Sequence, residues 1–306
     1  TKQPKTVTIE ANKDDTPNDT VIQVRNYQRH DHITCWISVM NIKEKHLFGE
    51  VEAYKFGFGP FGPPLMSVFL YYLDGLVIDT AQSHMEKYVI GVLKEKKIEK
   101  VLLTHHHEDH SGNASAISKC YNVKVFGHSI TADKMEKTFK IRHYQLYTWG
   151  KSGRVSVLPL PSTVETGKYK LRPVHTPGHS SDHTVYLEEN HGWLFSGDLY
   201  LGERIKYFRS DEKFKDQIDS IKMILEYDFD ALFCAHNPVP EKGKIRLAKK
   251  LSFLEELYGE VQKLYLKGYS EKAIVKALGN EKDKLVKFVT LGNVSFAQMV
   301  RSAMEQ

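Results

Sequence analysis

Residues 101–113 read VLLTHHHEDHSGN, four histidines and two carboxylates directly behind a short apolar run. Bunched imidazoles repel one another when protonated, and unpaired carboxylates are costly to take out of water. A fold that delivers this loop from the end of a buried strand must bring something to neutralise it, and a metal ion is the first candidate. Alternate residues of an extended loop point the same way, so His105 and His107 can pinch one ion while Asp109 and His110 project towards a second position. Imidazole and carboxylate donors together suit zinc and other borderline first-row ions.

The rest of the chain offers what that loop lacks. HTPGHSSDH carries His175, His179 and His183, LFSGDLY carries Asp198, and LFCAHNP carries His236. Each follows an apolar strand-like run, where loops gather on one edge of a sheet. The runs VEAYKFGFGPFGPPLMSVFLYYLDGLVIDT, KVLLT, VKVFGH, YKLRPVHT, HTVYLEE, GWLFSGD and ALFCAH predict strands by their β-branched and aromatic content. HMEKYVIGVLKEKKIE, ASAISKCY, residues 130–147 and KDQIDSIKMILEY predict helices, and from about Lys242 onward the pattern is helical throughout. Strands, helices, strands and helices again predict two sheets packed face to face with helices outside, a layered α/β sandwich.

Composition bounds the remaining choices. Charged residues make up 26% and no window approaches the length of a membrane-spanning helix, so no membrane partner is expected. The opening TKQPKTVTIEANKDD has no apolar leader run, and Cys35, Cys120 and Cys234 form no CxxC pair. A cytoplasmic location is expected. From Glu241 onward there are 13 Lys and Arg against 8 Asp and Glu, so this segment carries the whole net charge of +5. Interleaved signs read as a solvated helix face and disfavour a nucleic-acid partner, although such a segment can also meet anions. Its apolar stripe leaves a homodimer open.

The order of THHHEDHSG, TPGHS, SGD and AHN, preceded by a strand-terminal VIDT, resembles the metallo-β-lactamase superfamily of hydrolases, from roughly Glu50 to Val239. The resemblance implies a four-layer αββα sandwich. It divides the chain into an N-terminal arm (1–46), a catalytic domain (47–240) and a helical C-terminal segment (241–306). Carried over by position, His105, His107 and His179 would hold one metal, Asp109, His110 and His236 a second, and Asp198 would bridge them. Zinc, two ions per chain, is the implied cofactor, with iron or manganese as alternatives. Asp79 would orient the ligands, and His106 falls at a variable position. Ala81 stands where the family usually has Gly, which implies a small backbone adjustment.

A bridging Asp198 with His236 is similar to the glyoxalase II, thioesterase and lactonase branches. The implied activity is hydrolysis of a small ester, thioester or lactone by a metal-bridging hydroxide. Asp109 and Asp198 take catalytic roles in that reading, and Tyr200 is a candidate donor to a leaving group or carbonyl. Phe56, Phe58, Phe61 and Met66, on the Gly/Pro-rich loop, are candidates for an apolar substrate wall. Arg246, Lys249 and Lys250 are candidates for meeting an anionic substrate tail. The alternatives are a mononuclear iron enzyme resembling the persulfide dioxygenases, a metal-dependent phosphodiesterase or nuclease, and a non-catalytic metal-holding regulatory protein.

Overall fold

The computed structural model describes residues 22–23, 40–137, 139–279 and 283–305. Of the expected N-terminal arm, positions 1–21 and 24–39 lie outside the described residues.

Eight strands follow one another across the first sheet: β1 (Ile22–Gln23), β2 (Ile42–Phe48), β3 (Val51–Gly57), β4 (Val68–Leu73), β5 (Leu76–Ile78), β6 (Lys100–Leu102), β7 (Lys124–Gly127) and β8 (Val157–Pro159). Pairing is antiparallel as far as β5 and parallel from β5 to β8. The switch follows from the connections. Asp74 and Gly75, both at positive φ, close β4 onto β5 as a tight hairpin. Parallel neighbours need crossovers instead. These are α1 (Glu86–Leu93), then α2 (Glu108–Ser111) with α3 (Ala114–Tyr121), then α4 (Ser129–Lys137) with α5 (His143–Thr148). The helix expected over 130–147 is thus two helices, because Gln145 accepts the Arg142 N–H at 2.8 Å and this cap starts α5 afresh.

The second sheet runs β14–β12–β11–β10–β9, from β9 (Val164–Glu165), β10 (Lys170–His175), β11 (Thr184–Glu188), β12 (Trp193–Gly197) and β14 (Ala231–Cys234). Only β12 and β14 are parallel, joined through α6 (Phe214–Leu225). The tail holds α7 (Gly243–Leu266), α8 (Glu271–Leu278), α9 (Lys284–Val289) and α10 (Phe296–Met304). It is not wholly helical. Leu291 and Gly292, at positive φ, turn the chain into β15 (Val294–Ser295), which pairs with β13 (Phe208–Arg209).

Period-two alternation explains why the strands read as nearly continuous apolar runs: both faces are covered. On β4, Phe69, Tyr71 and Leu73 point between the sheets while Val68 and Leu70 meet α1 and α3. On β14, Ala231 and Phe233 face the first sheet while Leu232 and Cys234 face the tail helices. The resulting three cores separate four layers, the αββα sandwich. Strand β2 pairs with β3 along its full length and so straddles the boundary expected at 46/47. Leu247, Leu254, Leu257 and Val261 of α7 share one core with β11, β12 and α6, which seats the tail directly on the second sheet.

Candidate metal centre

Asp79, the histidine loop, Asp198 and His236 follow the carboxyl ends of β5, β6, β12 and β14, and the β10–β11 loop adds His179. Loops at the carboxyl ends of parallel strands open onto a common crevice. The second sheet also grips the histidine loop at its base: the Tyr186 hydroxyl donates to the Leu103 carbonyl at 2.7 Å, and the Thr184 N–H donates to the Thr104 carbonyl at 2.8 Å.

The seven residues anticipated from the motifs converge as two abutting donor sets. His105 Nε2 lies 2.8 Å and His179 Nε2 3.1 Å from His107 Nδ1. Asp109, His110, Asp198 and His236 form the second set, with His236 Nε2 3.2 Å from Asp109 Oδ2 and 3.5 Å from Asp198 Oδ1. Asp198 joins the two, since its Oδ2 is 3.2 Å from His179 Nε2 while its Oδ1 is 3.4 Å from His110 Nε2. Six of the seven side chains are buried, and His236 is nearly so.

The atoms fit a cation. His110 Nε2 and Asp198 Oδ1, both facing the donor sets, are buried without a hydrogen-bond partner among the described residues. Unpartnered buried polar atoms are costly in a native fold, and a bound ion removes that cost for the donors it takes up. Burial, reinforced by the neighbouring imidazoles, holds His105 well below the ordinary histidine range and ready to ligate as a neutral ring. Burial opposes a charge on His110, but the Asp79, Asp109 and Asp198 carboxylates outweigh it and hold the ring well above that range. Asp198 is the converse: burial pushes its carboxyl up, yet His110, His236 and His179 keep it well below the usual carboxylate range.

Asp79 lies where the motif puts it. Its Oδ1 accepts the Thr104 N–H at 2.8 Å and its Oδ2 sits 2.7 Å from His110 Nδ1, so the opposite ring nitrogen is left for an ion. Asp79 and Ala81 both have positive φ, 56° and 55°. Ala81 therefore keeps the left-handed turn without glycine, at a cost of roughly 1 kcal/mol. Gly197, before Asp198, has φ +47°, and a Cβ there would lie 2.8 Å from both His183 Nε2 and Thr104 Oγ1. Gly197→Ala is expected to cost roughly 2–4 kcal/mol by overpacking and strain and to lower metal content, read by thermal melting and elemental analysis.

Several expectations change. Tyr200 is 2% exposed and packs in the core with Phe208 and Leu247, so it is no donor at the site mouth. Phe56 is 1% exposed beneath β4, because it lies on β3 with its side chain in the sheet–helix core. Met66 is exposed and does not line the apolar hollow. That hollow is formed by Phe58, Pro60, Phe61, Pro63 and Leu65 against Tyr147. Arg246 and Lys249 both pair with Glu203, while Lys250 is fully buried and donates to the Leu199 carbonyl at 2.7 Å. His183 is buried and accepts the Asp198 N–H at 3.0 Å, whereas exposed His175 stacks on His128, centroids 4.2 Å apart.

Motif reading passed over Asp182 and Glu212, and it gave Lys250 a surface role in place of the buried one it has. Asp182 is fully buried and holds His106 through the His106 N–H and Nδ1, both at 2.9 Å. Glu212 Oε2 is 3.4 Å from His179 Nδ1. Lys250 was detectable: it continues the three-four spacing of Leu247, Leu254, Leu257 and Val261, the buried stripe of α7. The other two are lone carboxylates with no periodic signal.

The family model described as the metallo-beta-lactamase superfamily matches residues 71–236, more than half of the chain. A beta-lactamase-like protein 2 homolog of Drosophila melanogaster is 32% identical over 189 residues, 56% of this chain and 58% of the relative. A hydroxyacylglutathione hydrolase of Bdellovibrio bacteriovorus is 29% identical over 116 residues, 37% of this chain and 40% of the relative. The chain thus spans about half the length of the curated relatives it matches. A beta-lactamase domain protein from Burkholderia ambifaria superposes with a TM-score of 0.63 at 18% identity, over 85% of this chain and 88% of that one, and so shares its fold. With the matched model running from β4 to His236 across both halves of the donor cluster, the chain belongs to the metallo-beta-lactamase superfamily.

Proposed function

We propose that the chain is a dinuclear metal-dependent hydrolase of a small ester, thioester or lactone, with zinc as the cofactor. The observation that carries this reading is Asp198, whose two oxygens face different donor sets. His105, His107 and His179 would hold one ion, and Asp109, His110 and His236 the other. A bound pair supplies a water acidic enough to attack at neutral pH and a Lewis-acid grip on the carbonyl oxygen.

The chain's own part is to hold and orient. Asp79 fixes the His110 tautomer, and Thr104 bridges Asp79 and His105, its Oγ1 lying 3.0 Å from His105 Nδ1. The His236 ring is steadied from behind by its Nδ1, 2.7 Å from the Ser67 carbonyl at the end of the Gly/Pro-rich loop. The same loop carries Phe58, Phe61 and Leu65 of the apolar hollow, to which this reading assigns an acyl or aromatic group. The relative named hydroxyacylglutathione hydrolase supports an acyl substrate. Four donors in the second set favour two ions over the single-iron alternative.

The test loads metal-depleted protein with zinc, measures ions per chain, and assays thioesters, lactones and aryl esters. Two zinc ions and hydrolysis are expected; at most one zinc per chain with no hydrolysis would overturn the reading. Proton linkage gives a second check. Burial lowers and the facing carboxylates raise His110, His179 and His236, and the net result leaves all three above the ordinary histidine value in the ion-free protein. Ligation needs neutral rings. Zinc uptake should therefore release protons and tighten as pH rises from 6 to 8, as read by calorimetry in buffers of different ionisation enthalpy.

A further inference from the structure

The helical tail is tied to the donor cluster through two side chains that the motifs do not contain. Ser302 of α10 donates its hydroxyl to the Glu212 carbonyl at 2.8 Å and accepts the Phe214 N–H at 2.9 Å. These bonds fix the turn entering α6. The Glu212 side chain is 8% exposed and fully occupied. Its Oε1 accepts the Arg209 N–H at 2.8 Å, and its Oε2 accepts from the Gln217 amide at 2.7 Å and lies 3.4 Å from His179 Nδ1. A carboxylate facing Nδ1 orients the ring so that Nε2, the atom facing His107 and Asp198, is the nitrogen presented to an ion. From α7, Lys250 reaches through the core to the carbonyl of Leu199, the residue after Asp198. Burying a lysine this deeply carries a desolvation cost, which this hydrogen bond partly offsets.

We propose that the tail is a working part of the metal centre, in which Glu212, held by Ser302, is the positioning residue for His179, and Lys250 the positioning residue for the turn that carries Asp198. This rests on the metal reading given above and adds that the tail sets the affinity of the centre. The expected effect is that of losing an outer hydrogen-bond partner of a metal ligand, about 10–100-fold in metal affinity.

The experiment measures zinc affinity by competition with a chromophoric chelator for the whole chain and for Glu212→Gln, Lys250→Met, Ser302→Ala and Ser302→Thr. Melting of each metal-free protein is followed alongside. Glu212→Gln and Ser302→Ala are expected to bind zinc at least about ten-fold more weakly, a loss that exceeds any fall in the stability of their metal-free forms. Ser302→Thr, which keeps the hydroxyl, is expected to restore the affinity. Should Lys250→Met fail to fold, the two tests at 212 and 302 still decide the matter. Equal zinc affinity in Glu212→Gln and Ser302→Ala, or losses matched by an equal loss of metal-free stability, overturns the proposal and leaves the metal reading intact. A wild-type chain that takes up no transition metal overturns both.

Discussion

Asp198→Ala is expected to lower kcat/KM by at least about 10³-fold on whichever ester or thioester is cleaved best, about 4 kcal/mol of transition-state stabilisation. The size follows from its place between the donor sets, 3.2 Å from His179 on one side and 3.4 and 3.5 Å from His110 and His236 on the other. Under the two-ion reading, truncation would take a donor from both positions, and it leaves His110, His179 and His236 without their shared counter-charge. Metal content should fall by at least one ion per chain. Asp198→Asn, which keeps the volume and loses the charge, should fold like wild type and show most of the same loss. Activity within ten-fold of wild type at full metal content in Asp198→Ala would remove Asp198 from the chemistry.

Asp182→Ala should produce the largest loss of stability among the substitutions considered, about 3–5 kcal/mol, because it deletes one partner of a buried charged network. The carboxylate is fully buried and holds the His106 N–H and ring, the Thr131 hydroxyl at 2.7 Å and, more distantly, Lys134 at 3.8 Å. In a chain of this size that loss corresponds to roughly 5–8 °C in melting temperature. Burial pushes the Asp182 carboxyl up, but His106, Lys134 and Thr131 overcome it and hold it far below its unfolded value of 3.8. The sign is that of a depressed carboxylate: its contribution is complete above that value and is lost on further acidification towards the folded-state pKa. Calorimetric melts of both proteins at pH 7 and below pH 3.8 test this, since the gap between them should narrow only in acid. An unchanged melting temperature at pH 7 would show that His106 needs no such anchor.

The donor residues were legible because metal chemistry demands particular residue types at strand ends, and His105-x-His107-x-Asp109-His110 has no comparably simple structural explanation. The sandwich was legible for a related reason, as runs such as those of β4, β11 and β14 are strands covered on both faces. What escaped notice depends on contacts between distant parts of the chain. Asp182 reaches His106 across 76 positions and Ser302 reaches Glu212 across 90, and neither leaves a local pattern. Tyr200 misled for the opposite reason, since two residues' distance from Asp198 says nothing of which side of the turn packs inward. The break in the tail at Leu291–Gly292 is set by two left-handed residues, of which only glycine announces itself.

His105, His107, Asp109 and His110 hang from the first sheet, and His179, Asp198 and His236 from the second. An ion held between them is a rivet through the two halves of the sandwich, one that the collapsing chain need not have closed when it crosses its folding barrier. Loading the centre should then slow the opening of the seam far more than it hastens assembly, so the lifetime of the folded protein would follow metal supply.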